Sequence, residues 1–186
     1  MKRLYHGSIE NFNRIDIAKG RGYKDFGKGF YATAVRQHAE RIALRNKQRK
    51  LERYMVRGVD TPILAYVYTL DFENSNLSYL NIKVFDKPNL EWVRFILYNR
   101  KSAITSHNYD IVIGPTADKN TNIIIDDFIE SLGGRKPSNE QLYSLIRKLE
   151  PNNLPKQYFF ATQRAVSKLK IRRQEIILWQ DVLMQI

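Results

Sequence analysis

Cysteine is absent from the 186 residues. Its absence removes disulfides, thiolate metal sites and a cysteine nucleophile together, and it suits a reducing compartment. Histidine occurs three times, at His6, His38 and His107, and never in an HxxxH or HExxH arrangement. No carboxylate cluster has metal-ligand spacing either, so no metal site is expected. No GxSxG elbow, P-loop or GxGxxG fingerprint occurs; "GRG" and "GKG" are only fragments of glycine-rich loops. No stretch reaches the length of an apolar membrane span, and the opening MKRLYHGS lacks the apolar run of a secretion signal. The expectation is a soluble, cytoplasmic protein with no membrane contact. Acidic residues are also in deficit: 19 Asp and Glu stand against 31 Lys and Arg, a net charge of +12.

The excess charge concentrates in RNKQRKLERYMVR, residues 45–57, and in KLKIRRQ, residues 168–174. Such runs form solvated faces or attract an anion, whether nucleic acid, a phosphorylated cofactor or an acidic partner. Hydrophobic residues at 43% and aromatics at 12% exclude a disordered chain, and the length suits one domain with a sizeable core. RLYHG and GFYAT read as short strands on either side of a polar loop over residues 8–24. Beyond Thr33, a plausible N-cap, Val35, Ala39, Ile42 and Ala43 recur at helical spacing toward Leu51. TPILAYVYTLDF is apolar on both faces, as a strand covered on two sides requires. LSYLNIKVF, YDIVIGP, QYFFAT and EIILW are further strands. PNLEWVRFILYNR and NTNIIIDDFIESLGG are helices, Ser138 and Gln141 form a capping box, and Thr162 caps a short helix. Strands and helices alternate irregularly, with no repeat and no low-complexity linker. The expected architecture is one mixed α+β domain over 1–186.

KDFGKGFYAT, residues 24–33, places Gly27 and Gly29 just before Phe30 and Tyr31. Glycine is costly inside regular structure, so such a pair implies a close backbone approach, to the core or to a ligand. His6 follows a strand and precedes Gly7, where side chain and bare backbone can both face a ligand; a hydrogen-bonded structural histidine fits the same pattern. Tyr31 alone also suits a core aromatic, and Gln157 an exposed strand start. His38 reads as an ordinary helical residue, and His107 in TSHNYD as exposed. Trp92, Phe95 and Tyr98 read as packing residues, and Asn99 and Arg100 as a helix end, where arginine suits the terminal carbonyls.

YHGS on a first strand, DFGKGFYAT on a second, and QYFFATQRAVSKL near the end together resemble the ADP-ribosyltransferase superfamily. With FDKPNLEWVRFILYNR and YDIVIGPTAD, the resemblance is closest to the bacterial DUF3990 family and covers roughly residues 3–170. It implies a split antiparallel β-sheet core with flanking helices, and NAD as a substrate. His6 would hydrogen-bond a ribose hydroxyl, Gly7 would offer its backbone to the nicotinamide amide with Ser8 beside it, and Tyr31 would stack on the nicotinamide ring. Arg21 and Lys24 are candidates for the pyrophosphate from charge and position. Where His-Tyr-Glu members carry glutamate, this chain has Gln157, which can hydrogen-bond ribose but cannot act as a base. Asp25 and Glu175 are the sequence-level alternatives for that carboxylate. The resemblance implies transfer of ADP-ribose to nucleic acid or protein, and a toxin with a cognate antitoxin as one setting. The alternatives are an NAD- or ADP-ribose-binding module without turnover, and a basic nucleic-acid-binding protein without NAD chemistry.

Overall fold

A computed structural model describes residues 1–116, 119–149 and 154–178. In chain order it contains β1 (Lys2–Ser8), β2 (Phe30–Thr33), α1 (Arg36–Val56), β3 (Tyr66–Phe72), β4 (Ile82–Val84), α2 (Leu90–Asn99), β5 (Ile111–Pro115), α3 (Lys119–Ser131), α4 (Asn139–Leu149), β6 (Lys156–Phe160), α5 (Gln163–Val166) and β7 (Leu169–Ile176). A single 3-10 turn, Ile17–Lys19, lies in the loop after β1. The class is α+β. The chain gathers into two compact units. One holds Met1–Ile15, Tyr31–Leu77 and the stretch from Ser167 on; the other holds Asp16–Phe30 and Ser78–Val166. Among the described residues, no helix is long and apolar enough to cross a membrane.

In the first unit the strands run in the order β2-β1-β3-β7, all antiparallel. β3 is buried at every position, as its two apolar faces require of a strand between β1 and β7. α1 lies against this sheet through Ala39, Ala43 and Leu44, which pack with Ala65, Val67 and Ile177. The small residues let the helix come close. A Cβ built on Gly7 would stand 1.9 Å from the Ala39 carbonyl oxygen, so this crossing admits only glycine. α1 starts later than its sequence signal suggests: the cap position is Val35, and the Thr33 hydroxyl instead accepts from the Val35 N–H at 3.2 Å. No glycine or proline interrupts residues 30–57, and the Arg, Lys, Gln and Leu there are strong helix formers. Gly58, at φ +63°, follows the helix in the left-handed conformation that commonly ends one.

The last strand is also displaced. It was expected at EIILW, but β7 occupies the basic run and ends at Ile176; Trp179 lies outside the described residues. Opposite charges face each other along this pairing: Arg172 meets Asp71 of β3 at 2.7 Å and Lys168 meets Glu73, just beyond β3, at 3.1 Å, while Arg173 pairs with Glu175 within β7 at 3.2 Å.

In the second unit β4, β5 and β6 are adjacent. β5 and β6 are antiparallel, but β4 and β5 are parallel. The expectation of a wholly antiparallel core is therefore corrected. The segment from Phe85 to Asp110 carries α2, the helical crossover that a parallel pair needs. Phe26, Phe85, Phe95 and Phe159 make an aromatic core, with Phe26 centred 5.9–6.3 Å from each of the others. The Asn89 side chain accepts from the Trp92 N–H at 2.8 Å and so caps α2. At α4 the capping box forms: the Ser138 N–H reaches Gln141 Oε1 at 2.9 Å, and the Gln141 N–H reaches Ser138 Oγ at 3.2 Å. Thr162 Oγ1 accepts from the Ala165 N–H at 3.3 Å at the start of α5. Trp92 is wholly buried, whereas Tyr98 is exposed and does not pack. Ala117 and Asp118, the end of YDIVIGPTAD, lie outside the described residues.

Candidate functional site

β1 and β2 bring His6 and Tyr31 together. His6 Nδ1 lies 2.6 Å from the Tyr31 carbonyl oxygen. A carbonyl only accepts, so Nδ1 carries the hydrogen. Burial lowers the His6 pKa to about 4 against the opposing pull of the Tyr31 carbonyl, so the ring is neutral at pH 7. A neutral imidazole protonated at Nδ1 presents Nε2 as an acceptor, the complement of a hydroxyl donor. Phe12, edge-on at 5.8 Å, and Tyr68 at 6.2 Å pack beside the imidazole. Phe12 stacks on Tyr68 at 4.0 Å, and the Tyr68 hydroxyl ties the loop down, accepting from the Phe12 N–H at 2.8 Å and donating to the Glu10 carbonyl at 2.9 Å. Tyr31 is half-buried, so part of its side chain is accessible.

The other two β1 positions have structural duties. Gly7 is required by α1, whatever else its backbone meets. The Ser8 hydroxyl accepts from the Glu10 N–H at 3.0 Å and turns the chain out of the strand. Glu175, one sequence-level substitute for a catalytic carboxylate, is held by Arg36 at 2.6 Å. That hydrogen bond keeps its carboxyl below the usual carboxylate range. Arg36 also binds Glu40 at 2.8 Å, so Glu175 belongs to a charge network on α1.

In the second unit Gln157 does not stand alone. It is buried, and its Nε2 donates to Asp25 Oδ2 at 3.0 Å and toward the Pro115 carbonyl at 3.4 Å. Both partners are acceptors, so the amide orientation is fixed by chemistry. Asp25 is itself buried, and its Oδ1 accepts from Arg100 Nε at 2.8 Å and Nη2 at 2.7 Å. Arg100 continues to Asp126 at 2.8 Å and to the Asn122 side chain. Arg100 therefore does more than end a helix: its guanidinium holds Asp25, and Asp25 holds Gln157. Sequence separations of 75 and 132 residues hide this chain from any local motif. Arg21 and Lys24 are both exposed, on a loop pinned by the Tyr23 N–H to the Ser102 carbonyl at 2.8 Å.

The glycine pair of KDFGKGFYAT serves the protein's own packing. A Cβ on Gly29 would come within 2.5 Å of the Phe159 ring and 2.6 Å of the Phe160 carbonyl. Gly27 has φ +98°, a conformation side chains rarely adopt. His107 differs from its expected exposure. Its Nε2 lies 2.9 Å from the Phe26 carbonyl and its Nδ1 accepts from the Tyr109 N–H at 3.1 Å, a neutral histidine pinning a loop.

Comparison with known proteins places this α+β chain in a family. The family model described as "Protein of unknown function (DUF3990)" matches residues 2–171, and the chain belongs to that family. No curated protein and no solved structure matches it.

Proposed function

We propose that the protein breaks the nicotinamide–ribose bond of NAD and transfers ADP-ribose to a macromolecular acceptor. The observation that supports this most is the His6–Tyr31 hydrogen bond. It makes His6 Nε2 the acceptor that a ribose hydroxyl calls for, beside the half-buried aromatic side chain of Tyr31. In the reaction the bond from ribose C1′ to the nicotinamide nitrogen breaks, and nicotinamide leaves with the electron pair. The acceptor's nucleophilic atom bonds C1′ and its proton passes to water. Gln157, which stands where the resemblance calls for a carboxylate, is an amide and supplies no base to this step.

The test is incubation with NAD, following free nicotinamide by chromatography and the ADP-ribose mass increment on RNA, DNA and protein. Release of nicotinamide that His6→Ala and Tyr31→Ala each abolish, with unchanged circular dichroism, supports the reading. No release and no transfer sinks it. One observation favours a second reading, an NAD- or ADP-ribose-binding module without turnover: both Gln157 contacts to Asp25 and Pro115 run through its Nε2. Saturable NAD binding by calorimetry without nicotinamide release would establish that alternative.

A further inference from the structure

The outer half of α1 is a helix that the core does not explain. No residue from 45 to 56 is buried, and Met55 and Val56 are 79% and 89% exposed. Residues 45–57 nevertheless carry six cations, Arg45, Lys47, Arg49, Lys50, Arg53 and Arg57, against the single acid Glu52. Among the described residues, the only ion pair these cations make joins Lys50 to Glu10 at 3.7 Å. Burial and then the like charge of Arg49 push the Arg45 guanidinium pKa down, so positive charge here crowds positive charge. The second basic run behaves differently. Lys168, Arg172 and Arg173 are paired with Glu73, Asp71 and Glu175 within the fold. Of the two runs the sequence offers, the one on α1 keeps its charge for an outside partner.

Spacing narrows the partner. Arg41, Arg45, Arg49 and Arg53 recur every four residues, which on an α-helix steps each about 6 Å along the axis and about 40° around it. An open cleft at the end of the helix is lined by Arg49, Glu52, Arg53, Val56 and Arg57. A regular row of guanidinium groups fits a polymer with regular charge, whereas a protein partner is anchored by a desolvated apolar centre. We propose that the outer half of α1, through Arg49, Arg53 and Arg57, is a docking surface for the phosphodiester backbone of a nucleic acid. If the NAD reading holds, this surface names the acceptor class; binding itself needs no NAD.

The experiment measures binding of labelled single-stranded RNA, single-stranded DNA and duplex DNA by anisotropy, without NAD, across a salt series. The proteins are wild type, R49Q/R53Q/R57Q, R49K/R53K/R57K, and a charge-matched control, K87Q/K101Q/K136Q, at exposed lysines elsewhere. Wild type should bind at about 100 mM salt, and the arginine-to-glutamine variant at least about tenfold more weakly. Its slope of log K against log salt should be shallower by about 2 for single strands. The lysine-for-arginine variant should retain most of the binding, and the control should behave as wild type. The three probes show which nucleic acid is preferred. The proposal is overturned by absence of wild-type binding, by an equal loss in the control, or by poly-glutamate competing as well as RNA at equal charge. Nucleic-acid binding without nicotinamide release would leave the docking surface standing and remove the NAD reading.

Discussion

Replacing Arg100 with methionine keeps the length and apolar stem of the side chain and removes the guanidinium. In the folded protein Arg100 and Asp25 side chains are 8% and 10% exposed, and Asp25 Oδ1 takes both Arg100 contacts, at 2.8 and 2.7 Å. Removing one partner of a buried pair leaves a carboxylate away from water without its guanidinium, which costs about 3–5 kcal/mol. Against a total stability of roughly 5–15 kcal/mol, that is a large fraction. For a chain of this size it lowers Tm by about 6–20 °C. The assay is urea denaturation followed by circular dichroism, with thermal melts alongside. Two comparators set the scale. Asp126 is 63% exposed, so Asp126→Asn should cost less than about 1 kcal/mol. Asp25→Asn combined with Arg100→Met removes the stranded charge and should recover much of the loss, a coupling the double-mutant cycle reads directly. An Arg100→Met loss below about 1 kcal/mol would refute the claim that this guanidinium holds Asp25 and, through it, Gln157.

Other predictions follow from neighbouring geometry. Gly7→Ala drives a methyl to 1.9 Å from the Ala39 carbonyl, so α1 must shift; a loss of about 2 kcal/mol or more in urea titration is expected. The His6 pKa of about 4 lies below the ordinary histidine value of 6.5, so between these values the unfolded chain binds more protons. Stability from this group is complete above about pH 6.5 and falls by about 3 kcal/mol as the solution is acidified toward pH 4. Denaturation of wild type and His6→Gln across that window should show a shallower decline in the variant; parallel curves would refute the assignment. His107, also lowered by burial, adds a decline in the same direction in both proteins. Gln157→Glu would set a second carboxylate 3.0 Å from Asp25. It should destabilise at pH 7 and recover on acidification or in combination with Asp25→Asn; full stability at pH 7 would show that the Gln157–Asp25 contact is absent in solution.

Much of the fold was legible where the signal is local. The Ser138–Gln141 capping box, the Thr162 cap and the two-sided apolarity of β3 depend on residues a few positions apart, and each forms as read. β7 was misplaced because its ladder is fixed by Asp71 and its neighbours about a hundred residues earlier, not by its own apolar content. Gly7 looked like a ligand contact because the sequence does not show which helix will cross it. Gln157 looked like a bare substitution for a carboxylate, yet Asp25, 132 residues away, supplies one beside it. His107 looked exposed because TSHNYD is polar, while its ring is held by the Phe26 carbonyl and packs on Phe95 at 5.0 Å.

The threading of the chain through its two units has a consequence for how the protein comes into being. The first unit opens with β1 and is completed only by β7, which pairs with β3 along its length, while the second unit claims Asp16–Phe30 from early in the chain and everything from Ser78 to Val166. During synthesis from the N-terminus, β1 and β3 can pair early, but β3 keeps one edge open until residues 169–176 emerge. Long-range pairing of this kind slows folding, and an open edge invites pairing with another chain. A chain that ends before residue 169 therefore leaves the outer edge of β3 unpaired and the first unit's sheet incomplete.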